Sequence, residues 1–246
     1  MKYKKVGFKT DNFTFYINLP DWFLFERGDQ GITFDKLLKD DIIPEIQAYK
    51  KMHLYMNQFS KEAIFLDVGA HIGLVSIPIA MEGYDVIAIE PITDLLCGNI
   101  CLNIIEDFIK VVPCAAYDIE KSTTIYAPVN DDCTSLSSDL AQSGGPIRLV
   151  QTKTVVLDKL LAKENVQDRV RFIKIDVQGF EYNVLKGLKE TLALPHERHV
   201  LIEWDEGFMQ KTGINPAEII DLFNSLGFQK ESWDAGDALF AKRTLK

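Results

Sequence analysis

Cysteine is scarce in this chain: Cys97, Cys101, Cys114 and Cys133 are the only four in 246 residues. That density excludes a disulfide-stapled secreted domain. Cys97 and Cys101 stand four apart, on one face if the segment is helical, but no nearby histidine completes a metal site. All four are expected to be buried reduced thiols. Long apolar runs are missing too. The longest uncharged stretch, Val68 to Met81, holds two glycines and a histidine and is too short to span a membrane. Met1 to Thr10 is basic but leads into no apolar signal core, so a cytoplasmic location is expected. There is no excess of positive charge: 27 Lys+Arg face 36 Asp+Glu, a formal net charge of −9. Sequence-independent nucleic-acid binding needs a basic surface that releases counterions, so the balance argues against that partner. Net charge does not report how charge is distributed over a surface. The sequence also lacks a fixed-period repeat and any low-complexity tract.

What is present is ordinary for a soluble globular protein: 47% hydrophobic and 26% charged residues. The length leaves room for a sizeable core in one large α/β domain or two small ones. Val6, Phe8, Phe13, Phe15 and Ile17 alternate around Thr10-Asp11-Asn12, which predicts a hairpin over residues 3–19. From Asp35 to Phe59 the apolar spacing is helical, with a break near Pro44. Residues 1–60 therefore read as an N-terminal extension packed on the rest of the chain, and residues 61–246 as the main domain.

From residue 63 the rhythm is strand, glycine turn, helix, strand. Ala63–Leu66 and Asp85–Ile89 are continuous apolar runs typical of strands buried on both faces. Leu74–Met81 reads as a helix, Thr93–Glu106 as another with Thr93 as N-cap, and Ile109–Val112 as a third strand. Asp118 to Pro146 is polar, with a strand at Thr123–Ala127 and a loop at Gln142–Pro146. A polar insertion of this kind inside an α/β domain suits a lid or substrate loop, the alternative being a plain surface excursion. The rhythm resumes with strands at Thr152–Val156, Val170–Ile175 and His199–Glu203. Helices are expected at Leu157–Ala162, Phe180–Thr191 and Pro216–Leu226. Phe228–Trp233 and Asp237–Ala241 form a closing hairpin. The expected fold class is α/β: a doubly wound, Rossmann-like, mostly parallel sheet with a C-terminal antiparallel hairpin.

Two segments carry chemistry. Asp67-Val68-Gly69-Ala70-His71-Ile72-Gly73 follows a buried strand and opens a helix. Glycines there let the backbone turn and approach a ligand closely, and helix amides attract a negative group. Glu90 ends the next strand, where an acidic residue can grip a ribose, and Pro91 stops that strand. A dinucleotide fingerprint would need glycine where His71 and Leu74 stand. The acidic Asp67 suits the ammonium of an amino-acid tail instead, which points to S-adenosylmethionine. Asp67, Gly69, Ala70, His71, Gly73, Glu90 and Pro91 are thus the candidate cofactor residues, with His71 against the cofactor. The second segment is Ile173-Lys174-Ile175-Asp176-Val177-Gln178-Gly179-Phe180-Glu181. Ligands of open α/β sheets lie beyond the carboxyl ends of strands, so Asp176 is placed to touch a reacting group. Glu181 lies at a helix start, where the dipole also favours its charge.

These segments resemble the FkbM-family methyltransferases, within the class I S-adenosylmethionine-dependent enzymes. The resemblance rests on Asp67 to Gly73, Ile89-Glu90-Pro91, Asn99 with Leu102 and Asn103, and Thr154 with Leu157-Asp158-Lys159-Leu160. It continues through Ile173 to Glu181, Val184-Leu185-Lys186-Gly187 and Leu201-Ile202-Glu203, covering roughly residues 60–205. It implies O-methylation of a hydroxyl on a sugar or small natural product. The family often has Glu where Gln178 stands; a carboxamide only hydrogen-bonds, so Asp176 is the first candidate base. Glu203 is the second and Glu181 the third. No metal ligand is assigned. His196 and His199 are read as surface or strand-end residues. Trp22, Phe23, Phe25, Trp204 and Trp233 are aromatics that can stack on a sugar, most of them being expected in the core. Competing readings are a non-catalytic cofactor- or partner-binding protein of this fold, a nucleic-acid methyltransferase and a nicotinamide-dependent oxidoreductase.

Overall fold

The computed structural model describes residues 3–9, 14–20, 52–128, 134–141, 146–231 and 236–243. Strands β1 (Tyr3–Lys9) and β2 (Thr14–Pro20) form an antiparallel hairpin. Next along the chain come β3 (Ile64–Val68), β4 (Asp85–Ile89) and β5 (Ile109–Val112). Strands β6 (Ala115–Ala116), β7 (Ser122–Pro128) and β8 (Ile147–Val155) make a separate sheet in the order β6-β8-β7. Four more strands complete the chain: β9 (Val170–Ile175), β10 (Arg198–Glu203), β11 (Gln229–Glu231) and β12 (Asp237–Lys242). They join β3, β4 and β5 in a central sheet of order β11-β12-β10-β9-β3-β4-β5. The run from β10 to β5 is parallel, while β12 pairs antiparallel with both β10 and β11. The doubly wound architecture expected from the sequence is present, with the strand order switching direction beside β3.

Strand side chains alternate between two cores, as the two-residue pleat requires. Phe65, Val86, Ala88 and Phe172 face one layer, with α1 (Ser76–Met81), α2 (Asp94–Asn103) and the hairpin. Leu66, Ile87, Ile173 and Val200 face the other. That layer holds α3 (Leu157–Lys163), α4 (Glu181–Lys186) and α7 (Pro216–Ser225). Burial on both faces explains why these strands read as continuous apolar runs. The hairpin buries Val6, Phe8, Phe15, Ile17 and Leu19. Asn103 clasps the backbone of Tyr16, accepting from its N–H (2.7 Å) and donating to its carbonyl (2.6 Å). Asn99 accepts from the Asn18 N–H (2.8 Å) and donates to the Ile72 carbonyl (2.9 Å), joining the hairpin to the glycine turn.

Several expectations are corrected. Cys97 and Cys101 are exposed and only Cys114 is buried, because α2 turns Leu96, Asn99 and Ile100 inward; Cys133 lies outside the described residues. Thr93 precedes α2 but its side chain makes no cap hydrogen bond. The first helix starts at Ser76 rather than Leu74, with Pro78 in its first turn, where a missing N–H is tolerated. The helix expected over Phe180–Thr191 is two: α4, then α5 (Lys189–Ala193). The break falls at Gly187, where a Cβ would stand 2.5 Å from the Tyr117 carbonyl oxygen. Asp158 then caps α5 from another element, accepting from the N–H groups of Glu190 and Thr191 at 2.8 Å each. A further helix, α6 (Glu206–Thr212), was not expected; Asp205 caps it by accepting from the Phe208 N–H. His199 stands near the start of β10, as the strand-end reading has it, but it is 1% exposed and stacks on Phe172, so it is a core residue rather than a surface one. Of the helix expected over residues 35–59, residues 52–56 are helical and residues 21–51 lie outside the described residues, as do Trp22, Phe23, Phe25, Trp233 and residues 142–145. Among the described residues, no helix is long and apolar enough to cross a membrane.

Candidate active site

A cavity of about 390 Å³ lies at the carboxyl ends of β3, β4 and β9, the place where open α/β sheets bind ligands. The size is within the ordinary range of small-molecule sites. Asp67, Gly69, Ala70, His71, Glu90, Pro91 and Asp176 all line it. Gly73, Glu181 and Glu203 do not. The turn after β3 needs its glycines: Gly69 has φ +82°, and a Cβ there would fall 1.8 Å from the Asp176 carbonyl oxygen. Gly73, at φ +90°, is packed against Ile77 and Leu96 instead of facing the cavity.

Asp67 is buried at the end of β3. Its Oδ2 accepts from the Ser76 hydroxyl at 2.6 Å. Its Oδ1 has no hydrogen-bond partner among the described residues, and the Lys174 ammonium at 3.8 Å is a through-space ion pair only. Burial raises the pKa of Asp67 above the usual carboxylate range, opposed chiefly by Lys174. Glu90 accepts from the His71 N–H and the Ile92 N–H at 2.9 Å each, one on each carboxylate oxygen. Burial pushes its pKa up to about 7 against those two donors. Each of its oxygens retains a lone pair. An S-adenosylmethionine cofactor fits this set: a ligand ammonium supplies the donor that Asp67 Oδ1 lacks, and ribose hydroxyls can donate to Glu90.

Sequence reasoning missed the residue at the centre of this site. Lys174, on β9, has an ammonium 3.1 Å from Asp176 Oδ2, 3.4 Å from the Gly69 carbonyl and 3.8 Å from Asp67 Oδ1. Burial lowers its pKa, but Asp176 and Asp67 more than offset that and hold it above the ordinary lysine value. The available signal was a lysine in β9, flanked by two isoleucines, one turn of the pleat before Asp176. Asp176 is pushed up by burial and pulled down further by Lys174 and by Gln178, ending below its usual value. Gln178 Nε2 donates to Asp176 Oδ1 at 2.9 Å and to Glu203 at 3.1 and 3.2 Å, so it links two carboxylates. Glu203, behind it, is raised to about 9 by burial and by repulsion from Asp176 and Glu181. Glu181 is raised to about 7, mainly by burial; its Oε1 accepts from the N–H groups of Val177 (3.0 Å) and Gly179 (3.1 Å), tying down the turn after β9.

The polar insertion reaches the cavity. Ile125, Ala127, Pro128, Thr134, Ser135 and Leu136 line it, with Arg148 of β8 beside them. Tyr126 and Ser135 form an antiparallel bridge, and the Ser135 hydroxyl donates to the Gln178 carbonyl at 3.0 Å. The insertion is thereby fastened to the turn that carries Gln178.

The model of the methyltransferase FkbM domain family matches residues 67–230. No curated protein matches the chain. Solved structures with a similar chain path include a magnesium protoporphyrin IX methyltransferase from Synechocystis with bound SAM. It is 12% identical, covering 91% of this chain and 90% of that one, at TM-score 0.48. A geranyl diphosphate methyltransferase in complex with SAM is 9% identical, covering 84% and 75% respectively, at TM-score 0.48. An rRNA methylase from Streptococcus thermophilus is 11% identical, covering 81% and 95%, at TM-score 0.46.

Proposed function

The chain belongs to the FkbM methyltransferase family, and we propose that it uses S-adenosylmethionine as its cofactor and methylates a hydroxyl oxygen of a small-molecule or carbohydrate acceptor, with Asp176 taking the hydroxyl proton. When bound, the cofactor supplies a methyl group already activated as a sulfonium. In this reading Asp67 holds the cofactor's ammonium, Glu90 its ribose, and Ala70, His71 and Pro91 its surroundings.

The observation that supports Asp176 as the base is that it alone, of the three candidate acids, lines the cavity. Lys174 keeps it ionised. A carboxylate with a lowered pKa is a weak base, and a weak base suffices here. The acceptor oxygen becomes strongly acidic as it gains the methyl group, so proton transfer to Asp176 can come late. Before that, the carboxylate orients the hydroxyl through a hydrogen bond to one of its remaining lone pairs. Glu203 and Glu181, held protonated or committed to backbone donors, act behind Asp176 rather than on the acceptor.

The test combines calorimetric binding of S-adenosylhomocysteine with methyl transfer to a panel of hydroxylated compounds. D176N keeps cofactor affinity and loses turnover by about 100-fold or more. An Asn variant with full activity removes Asp176 as base, and transfer confined to nitrogen or carbon acceptors removes the hydroxyl reading.

A further inference from the structure

One wall of the cavity has no carboxylate. In the β7–β8 register, Ala127 faces Arg148. The bridge between Tyr126 and Ser135 places Thr134 beside Ala127 on its other side. Opposed residues of antiparallel chains share a face, and all three line the cavity. Thr134, Ala127 and Arg148 therefore form a row across three segments, spanning about 10 Å at the usual interstrand spacing. A hydroxyl stands at one end, a guanidinium at the other, and only a methyl group between them.

Arg148 is exposed and has no hydrogen bond or ion pair among the described residues. The other permanently charged cation of the lining, Lys174, is engaged by Asp176 and Asp67. The carboxylates of the lining, Asp67, Glu90, Asp94 and Asp176, all come from the ends of β3, β4 and β9 or the start of α2. The cavity thus carries its negative charge on one side and an uncommitted guanidinium on the other. The residue opposite Arg148 across the strand pair is the small Ala127, so no bulky side chain faces it there. An arginine fork matches carboxylate and phosphate oxygens.

We infer that the acceptor carries an anionic group, a carboxylate or a phosphate, seated by Arg148 with the Thr134 hydroxyl beside it. The inference rests on the methyltransferase reading, because it takes the cofactor to occupy the carboxylate-lined side.

The experiment uses the full chain saturated with S-adenosylhomocysteine. Fluorine NMR linewidths of trifluoroacetate and phosphorus linewidths of inorganic phosphate report the two anion types separately. At least one anion broadens with the wild-type chain; its affinity falls about tenfold or more in R148Q and less in R148K. Cofactor-product affinity by calorimetry stays unchanged in R148Q. The inference is overturned if neither anion broadens, or if both broaden equally with R148Q. It is also overturned if R148Q loses affinity for S-adenosylhomocysteine, which assigns the guanidinium to the cofactor's own carboxylate. If the wild type does not bind S-adenosylhomocysteine at all, the cofactor reading is what fails, and the same anion titration on the free chain still decides the role of Arg148.

Discussion

Removing the Lys174 ammonium while keeping its stem, as in K174M, strips the shared counter-charge from two carboxylates. Asp67 is 1% exposed at its side chain and pairs with no other cation among the described residues; Asp176 is 36% exposed. Breaking a buried ion pair by deleting one partner costs about 3–5 kcal/mol. Only the Asp67 share counts fully here, since solvent screens Asp176, so a loss of about 3 kcal/mol is expected at pH 8. For a chain of this length that corresponds to a fall in Tm of roughly 6–12 °C. The sign of the pH dependence comes from linkage. Without Lys174, the folded-state pKa of Asp67 rises further above its unfolded value. The variant therefore approaches wild-type stability at low pH, where Asp67 is protonated in both folded forms, and falls below it as pH rises through the range in which only the wild-type Asp67 is ionised. Thermal unfolding of both forms at pH 5 and pH 8 reads the difference directly. A K174M variant whose Tm stays within about 2 °C of wild type at both pH values would refute the account of Lys174 as the counter-ion of this site.

The same geometry sets two further outcomes. D67N and E90Q each weaken S-adenosylhomocysteine binding by about tenfold or more in calorimetry, since each loses a charge-assisted hydrogen bond; unchanged affinity in both removes them as cofactor residues. Q178E replaces the donor between Asp176 and Glu203 with a third carboxylate, so turnover falls at neutral pH and recovers as the medium is acidified. A pH–rate profile that matches wild type contradicts the linking role of the amide.

The parts of the fold legible in the sequence are those governed by local pattern. β4, β5 and β9 occupy the residues expected of them, because short β-branched segments between turn signals announce themselves as strands. What escaped is non-local. The break at Gly187 depends on a carbonyl 70 positions earlier, at Tyr117, and on a cap supplied by Asp158. The exposure of Cys97 and Cys101 depends on which face of α2 meets the hairpin. Within the site, Asp67, Glu90 and Asp176 could be placed from strand ends alone. Lys174 could not be assigned a role that way, because Asp67 and the Gly69 carbonyl, which it joins to Asp176, come from another strand. Arg148 could not either: that β7 and β8 pair at all is a fact of tertiary structure.

The two chemical segments are also more closely joined than their separation in sequence suggests. His71 and Gln178 are non-glycine residues with positive φ, 50° and 55°, and both line the cavity. Such a backbone costs about 1–2 kcal/mol at each position and persists only where neighbours fix it. The neighbours are visible. The His71 N–H is held by Glu90, the Gln178 carbonyl by Ser135, and the turn after Gln178 by Glu181. Between them, the Asp176 N–H donates to the Val68 carbonyl at 3.0 Å, and the absent side chain of Gly69 admits the Asp176 carbonyl. The turn that presents Asp67 and the turn that presents Asp176 are therefore braced against each other across adjacent strands. In-line transfer between two bound molecules needs their reacting atoms held at near-contact distance. On the proposed reading, in which the first turn holds the cofactor and the second the acceptor, these shared backbone contacts fix that distance in the fold itself, so substitutions at Gly69 are expected to disturb both bindings at once rather than either one alone.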